Sequence, residues 1–210
     1  MALTAEVKEE LGAIQSGKTT VRAAELATIL RFSGGLHVIS GRIAVESEVE
    51  SEQLAKRIRK DIAELYGVRA EITIVSASGV RRTSHYLVRV LDGGETHARQ
   101  TGLLDARRRP IRGLPNRLTT GSREDLAAVW RGAFLASGSL TDPGRSAVLE
   151  VTCPGNEAAM ALVGAAGRLR IAAKAREVRG IHRVVVRDGE AIGAMLELMG
   201  ATKGVAAWNE

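Results

Sequence analysis

Apolar positions recur at helical and strand spacing, in the same order, in both halves of the 210-residue chain. Each half begins with an apolar helix that ends at a glycine, over residues 23–33 and 124–137, and such a glycine is typical of helix C-termini. Apolar and polar residues then alternate over 42–49 and 146–153. This period of two predicts a strand with one buried face in each half.

The second part of each half repeats the same plan. Residues 51–66 and 156–169 place apolar side chains at helical spacing. Two further strands are predicted after each of these helices, at 70–76 and 84–91 and at 173–179 and 181–187. An Asp-Gly pair and a closing helix follow, and in the second half that helix covers 190–199. Each half is therefore predicted to run helix, two strands, helix, two strands, helix.

An offset of 104 residues aligns the two halves, placing Ser33 on Ser137. The agreement of offset and element order predicts an internal duplication. The predicted units are a first repeat with an N-terminal helix (1–104), a linker (105–123) and a second repeat (124–210). Two unrelated α+β domains would be the alternative.

The net charge of +6 lies almost entirely in the linker. There, Asp105 is the one acidic residue against six arginines, Arg107, Arg108, Arg109, Arg112, Arg117 and Arg123. Two interpretations are open. The arginines contact phosphates, or the linker is an ordered loop whose arginines pair internally.

Several classes of protein are disfavoured by the composition. Cys153 is the only cysteine and has apolar neighbours, which predicts a buried thiol, no intrachain disulfide and a reducing cytoplasm. Neither a signal peptide nor an apolar segment of membrane-spanning length is present. The histidines are scattered and predicted to be exposed or hydrogen-bonded, and they are His37, His85, His97 and His182.

The two helix–glycine segments, 26–35 and 130–139, resemble the motif that names the LAGLIDADG homing endonucleases. The resemblance implies an α+β fold of two αββαββα repeats, related by a pseudo-twofold axis and packed through their motif helices. It also implies that small residues permit close packing of these helices, and the matching ones are Ala27, Gly34, Gly132, Ala133, Ala136 and Gly138.

The acids of that motif are missing. The family's metal-binding acid falls on Ser33 and Ser137, and its earlier acid on Arg31 and Leu135. Hard divalent cations require carboxylate oxygens, and Asp142 is interpreted as a turn residue. The resemblance therefore implies a degenerate scaffold with no catalytic residue, metal or cofactor. An active metal-dependent DNA endonuclease is the alternative.

Longer segments resemble the WhiA family of bacterial transcriptional regulators, at 99–115, 130–145, 149–155 and 170–178. This resemblance implies a module beside a C-terminal helix-turn-helix, a role in sporulation and cell division, and a WhiB-type iron–sulfur partner. The helix-turn-helix is absent from this chain, which is expected to be a monomeric fragment of a nucleoid-associated protein. A pure protein-interaction domain, using Trp208 and an acidic face at Glu46, Glu48 and Glu50, is a further alternative.

The charges on the predicted strand faces do not decide whether the repeats contact DNA directly. In the second repeat, basic residues predicted on strands are Lys174, Arg176, Arg183 and Arg187. In the first, the predicted exposed face of 42–50 carries Arg42, Ala44 and the three glutamates. A surface that carries both acidic and basic side chains is compatible with two interpretations. Either it makes weak contact with phosphates, or its charged side chains are simply solvated.

Overall fold

A computed structural model describes residues 2–15, 17–75, 84–141 and 146–209; Asp142 lies outside these ranges. The elements are α1 (Ala2–Gly12), α2 (Thr19–Ser33), β1 (Gly34–Ile39), β2 (Arg42–Val49), α3 (Glu52–Tyr66), β3 (Glu71–Val75), β4 (His85–Val90), α4 (Gly94–Thr101), α5 (Asn116–Thr119), α6 (Arg123–Ser137), β5 (Gly138–Leu140), β6 (Leu149–Cys153), α7 (Asn156–Arg168), β7 (Lys174–Val178), β8 (Ile181–Val186), α8 (Gly189–Met199) and α9 (Thr202–Trp208). We call α2 to α4 the first lobe and α6 to α9 the second lobe.

Each lobe contains one four-stranded antiparallel sheet, with the strand orders β1-β2-β4-β3 and β5-β6-β8-β7. The register repeats as well as the order. Gly34 pairs with Ser47 in the first sheet, and Gly138 pairs with Val151 in the second. Both members of the pair are shifted by the predicted offset, so the predicted duplication and the α+β fold are confirmed.

The two motif helices, α2 and α6, form the largest contact between any two elements and lie at the centre of the molecule. Helix α6 begins at a capping box in which the Ser122 and Asp125 side chains each bind the other residue's backbone N–H. Trp130 and Phe134 on this helix are fully buried. Because α6 is apolar on nearly all sides, it can serve only as a core helix.

Close approach of the motif helices depends on Gly132. A Cβ at this position would lie 2.6 Å from the Glu25 carbonyl oxygen and 3.1 Å from the Thr28 Cβ. Ala27 and Ala133 are buried in the core around the crossing. At Gly132 a larger side chain would therefore clash with the facing helix.

The N-terminal helix α1 joins the two lobes. Its apolar face, Leu3, Val7 and Leu11, is buried, and Thr4 Oγ1 accepts from the Leu140 N–H and donates to the Leu140 carbonyl, each at 2.9 Å. Glu10 caps the start of α9 by accepting from the backbone N–H groups of Lys203 and Gly204. The α1 helix therefore packs against the second lobe as well as the first.

Some predicted boundaries are wrong. Strand β6 begins at Leu149 instead of residue 146, because its partner β5 ends at Leu140, which pairs with Leu149. Helix α2 begins at Thr19, four residues before the predicted start.

No helix in the described ranges is long and apolar enough to cross a membrane.

Candidate functional site

Ser33 and Ser137 occupy the last turn of the two motif helices, where the family's metal-binding acids would lie. Ser33 Oγ donates to the Ile29 carbonyl and lies 2.5 Å from Ser47 Oγ on the adjacent strand. Ser137 Oγ donates to the Thr152 carbonyl at 2.6 Å. Both hydroxyls thus connect a helix end to its own sheet.

The earlier acid positions hold residues with structural contacts. Arg31 donates through Nε to the Gly113 carbonyl at 3.2 Å and through Nη2 to the Arg112 carbonyl. Burial lowers the pKa of this guanidinium. Leu135 is buried in the core. Among the described residues no group of three or more His, Cys, Asp or Glu side chains could hold a metal ion.

The remaining predicted packing residues serve other contacts. A Cβ on Gly34 would lie 2.1 Å from the Glu46 carbonyl oxygen, so this glycine permits the crossing from α2 onto β2. A Cβ on Gly138 would lie 2.3 Å from the Phe134 ring. Ala136 is partly buried beside a groove under α1. These three residues pack around the ends of the motif helices.

The open face of each sheet is the one opposite its buried apolar residues. In the first lobe its charged residues are Arg42, Glu46, Glu48, Glu71 and Arg89; in the second they are Glu150, Lys174, Arg176 and Arg183. The open face of the first sheet therefore carries three carboxylates and two cations, and that of the second carries one carboxylate and three cations. The strand register makes Glu71 equivalent to Lys174, and Thr73 equivalent to Arg176.

The acidic row on β2 is less exposed than the sequence predicted. Glu46 is only 8% exposed and receives the Arg89 Nε–H at 2.6 Å, while His37 Nδ1 lies 3.4 Å away. Ala44, opposite His37 in the register, is fully buried. The prediction of exposure was wrong for both positions, because alternation shows neither the ion pair that covers Glu46 nor the packing of α4 against β2 beside Ala44.

The basic side chains of the second lobe remain accessible. Arg176 lies opposite Arg183 in the β7–β8 register, and Arg183 Nε is 3.0 Å from Glu150 Oε1. Lys174, Arg176 and Arg187 are exposed. Over the described part of the chain, these three make no ion pair. Lys174 and Arg176 lie two residues apart on the same face of β7 and repel each other, so an anion placed beside them would be favoured.

The linker is an ordered loop. Arg108 pairs with Glu95 at 2.5 Å, Arg109 pairs with Asp105 at 3.0 Å, and Arg117 donates to the Gln100 carbonyl at 3.1 Å. These contacts correspond to the internal-pairing interpretation. Arg107 and Arg112 are exposed, and within the described ranges their side chains form no ion pair.

A buried ion cluster between the lobes is not evident from sequence patterns. Glu25 on α2 is 1% exposed and accepts from both Arg57 on α3 and Arg131 on α6. Arg57 also donates to the Leu11 carbonyl at 2.8 Å, and Arg131 to the Met199 carbonyl at 3.1 Å. This carboxylate and its two arginines thus link five helices, α1, α2, α3, α6 and α8. The one sequence feature that could have indicated this cluster is a glutamate, Glu25, among apolar residues on a core helix.

His97 contradicts the prediction of exposed or hydrogen-bonded histidines. It is fully buried on α4, and within the described residues neither ring nitrogen has a hydrogen-bond partner. Its ring meets the Tyr66 ring edge-on, with centroids 5.3 Å apart. Burial lowers the pKa of His97 to about 4, so the imidazole is neutral at pH 7. Cys153 is buried as predicted, and burial raises its pKa to about 12.

Comparisons with known proteins identify this architecture. Residues 19–104 match the model of the WhiA N-terminal LAGLIDADG-like domain, and residues 126–210 match that of the WhiA LAGLIDADG-like domain. The chain belongs to the WhiA family.

Close WhiA relatives are bacterial proteins named probable cell division protein WhiA. The one from Leifsonia xyli subsp. xyli is 79% identical over the whole chain, and the one from Pseudarthrobacter chlorophenolicus is 61% identical. The chain spans 64% of the length of each of these relatives.

Solved structures show the same fold. Full-length DUF199/WhiA from Thermatoga maritima matches 97% of this chain and 63% of its own, with a TM-score of 0.73 at 16% identity. I-DmoI in complex with DNA and Mn matches 87% of this chain and 98% of its own, with a TM-score of 0.61 at 16% identity. The predicted homing-endonuclease-like fold is therefore confirmed.

Proposed function

We propose that this WhiA chain is a non-catalytic module of a DNA-binding regulator that acts in cell division and sporulation. The observation that carries the proposal is the engagement of Ser33 and Ser137, whose hydroxyls hydrogen-bond backbone carbonyls at the positions of the family's metal-binding acids. A hydroxyl that is already committed to a carbonyl cannot replace a bridging carboxylate on a divalent cation.

Manganese binding separates this proposal from an active endonuclease. Titration of the chain with Mn²⁺, followed by electron paramagnetic resonance, is expected to show no saturable site below about 1 mM. A Ser33→Asp/Ser137→Asp variant provides the matched comparison, since it restores one carboxylate at each helix end. Saturable Mn²⁺ binding by the unmodified chain that is lost in Ser33→Ala/Ser137→Ala would contradict the proposal.

Weak, sequence-independent DNA contact is proposed for the second lobe. Lys174 and Arg176 project from an exposed strand, while the equivalent first-lobe positions are Glu71 and Thr73. Cations without acidic partners can replace the counterions on a phosphate backbone. The exposed linker residues Arg107 and Arg112 are proposed to add to this contact. Recognition of a specific DNA sequence is assigned to a C-terminal helix-turn-helix outside this chain.

The partner proposal follows from the family. A WhiB-type iron–sulfur protein is proposed to associate with the full-length regulator, and this 210-residue part is proposed to be monomeric. Pull-down with this chain and with the full-length protein distinguishes where such a partner binds. Sedimentation velocity at increasing concentration measures the oligomeric state.

A further inference from the structure

We propose that the groove between α3 and β3 in the first lobe, here called the cationic groove, binds an extended acidic segment of a partner protein. The bound segment would add a fifth strand to the first sheet. This proposal does not depend on the DNA contact of the second lobe or on the absence of catalysis.

The backbone of β3 itself lines the groove. Its volume is about 660 Å³, and one wall is formed by the consecutive residues 68–73. Side chains of neighbouring strand residues point to opposite faces, so a consecutive run along one wall means that the backbone is accessible. Among the strands in the described ranges, β3 is at the end of the sheet. Its outer N–H and C=O groups therefore offer a template for another strand.

The opposite wall carries positive charge. Lys56, Arg59 and Lys60 on α3 line the groove together with Arg69 before β3. Lys56 pairs with Glu52 at 3.0 Å. Throughout the described ranges, Arg59, Lys60 and Arg69 make no ion pair. Glu71 is the one acidic residue among those lining the groove. This surplus of cations is complementary to carboxylates.

The second lobe shows that the fold does not require these charges. There α7 packs over the edge strand β7 in the same arrangement. The residues 104 positions after Lys56, Arg59 and Lys60 are Met160, Val163 and Gly164. Met160 is 52% exposed. The second-lobe equivalents of the groove residues Glu71 and Thr73 are Lys174 and Arg176, so that lobe carries its cations on the edge strand and not on the helix. Because the fold does not require cations on the helix, those on α3 are attributed to binding.

A peptide fits the groove better than nucleic acid does. The cationic groove runs along the sheet edge between α3 and β3, and its cations on α3 lie on the helix-covered side of the sheet. Ile74, on the helix-facing side of β3, is 62% exposed and can contact apolar side chains of an added strand. Free backbone groups, alternating apolar contacts and flanking cations together match strand addition by a segment that alternates acidic and apolar residues.

The test uses fluorescent peptides of about ten residues that alternate Glu and Val, a length suited to pairing with an edge strand. Three other probes are compared with the Glu-Val peptide. They are the same peptide with Gln in place of Glu, the Glu-Val peptide N-methylated at alternate backbone amides, and a single-stranded oligonucleotide. Affinity is measured by anisotropy against the complete chain, and amide shifts of β3 are followed by NMR. Arg59→Ser/Lys60→Ser is the test variant, and Arg99→Ser/Lys203→Ser, which removes two exposed cations away from the groove, is its matched control.

We expect saturable binding of the Glu-Val peptide and amide shifts at residues 71–75. Loss of two charge contacts in Arg59→Ser/Lys60→Ser should weaken affinity by about tenfold, with no change in the control variant. Replacement of Glu by Gln should weaken binding similarly, and N-methylation should abolish it. The proposal is overturned by absence of binding up to about 1 mM, by insensitivity to N-methylation or to Arg59→Ser/Lys60→Ser, or by tighter binding of the oligonucleotide to the same residues.

Discussion

Glu25 is the residue on which the contact between the lobes most depends. Its carboxylate is buried and receives guanidinium groups from Arg57 in one lobe and Arg131 in the other. Removing one partner from a buried cluster leaves uncompensated charge, which costs much more than the loss of an exposed pair.

We predict that Glu25→Ala lowers the free energy of unfolding by about 3–5 kcal/mol, because Arg131 stays buried without a counterion among the described residues and Arg57 keeps only Asp61, at 3.8 Å. Urea denaturation monitored by circular dichroism measures the effect. Glu124→Ala is the control, since it removes an exposed pair with Lys18 at 2.6 Å, and exposed pairs contribute under about 1 kcal/mol. Equal effects of the two substitutions would contradict the role given to Glu25.

His97 makes stability depend on pH. The pKa of this buried imidazole is about 4, against 6.5 for the free group. Between these values the unfolded chain binds the proton more strongly than the folded chain does. The contribution of His97 to the free energy of unfolding is therefore fully present above pH 6.5 and decreases as the pH falls towards 4.

The predicted loss attributable to His97 between pH 7 and pH 5 is about 2 kcal/mol. His97→Leu should remove that part of the pH dependence, because it leaves no imidazole to protonate on unfolding. Urea unfolding at both pH values measures it, with the exposed His37→Gln as the control. An unchanged pH dependence in His97→Leu would show that the imidazole is not the responsible group.

Among the elements, the crossing of α2 and α6 is the contact that small residues make possible. At Gly132, a new Cβ would meet the Glu25 backbone carbonyl at 2.6 Å. Backbone cannot rotate away as a flexible side chain can, so the two helices must separate.

Gly132→Ala is therefore predicted to destabilise the protein by about 1–3 kcal/mol through overpacking. Gly164→Ala is a matched control on the exposed side of α7, where a Cβ meets nothing within 4 Å. That substitution should stabilise the protein by up to about 1 kcal/mol, because alanine is the better helix former. Thermal unfolding of both variants tests the prediction, and stabilisation by Gly132→Ala would exclude the close crossing.

The elements were largely predictable because their signals are local. Helical spacing and strand alternation depend on residues near each other in the sequence, and the repeat was visible because the same local patterns recur in the second half. The Glu25–Arg131 contact joins residues 106 positions apart, and no periodic pattern encodes it. The burial of Glu46 depends on its contact with Arg89 on the neighbouring strand, which alternation does not show, and the burial of His97 depends on the packing of α4, which its place in the sequence does not show.

For the whole molecule, the central feature is a symmetric fold with asymmetric charge. The two sheets share their strand order and register, yet Glu71 in one is replaced by Lys174 in the other. A duplex that follows both open faces would therefore be attracted by one lobe and repelled by the other.

We predict that Lys174→Glu/Arg176→Glu weakens binding to duplex DNA by about tenfold at 50 mM salt, since it removes two phosphate contacts. Glu177→Gln/Glu190→Gln is the control for a general change of charge on the second lobe. Anisotropy titrations over a salt series measure affinity and slope. Absence of any duplex binding by the unmodified chain, even at low salt, would contradict the contact.

The most direct test of the non-catalytic account is DNA cleavage. Purified chain is incubated with supercoiled plasmid and with relaxed duplex, in Mg²⁺ or Mn²⁺, and nicked and linear products are quantified. With Ser33 and Ser137 committed to backbone carbonyls, the account predicts no cleavage above that of buffer. Metal-dependent nicking at defined positions, present in the unmodified chain and lost in Ser33→Ala/Ser137→Ala, would contradict it.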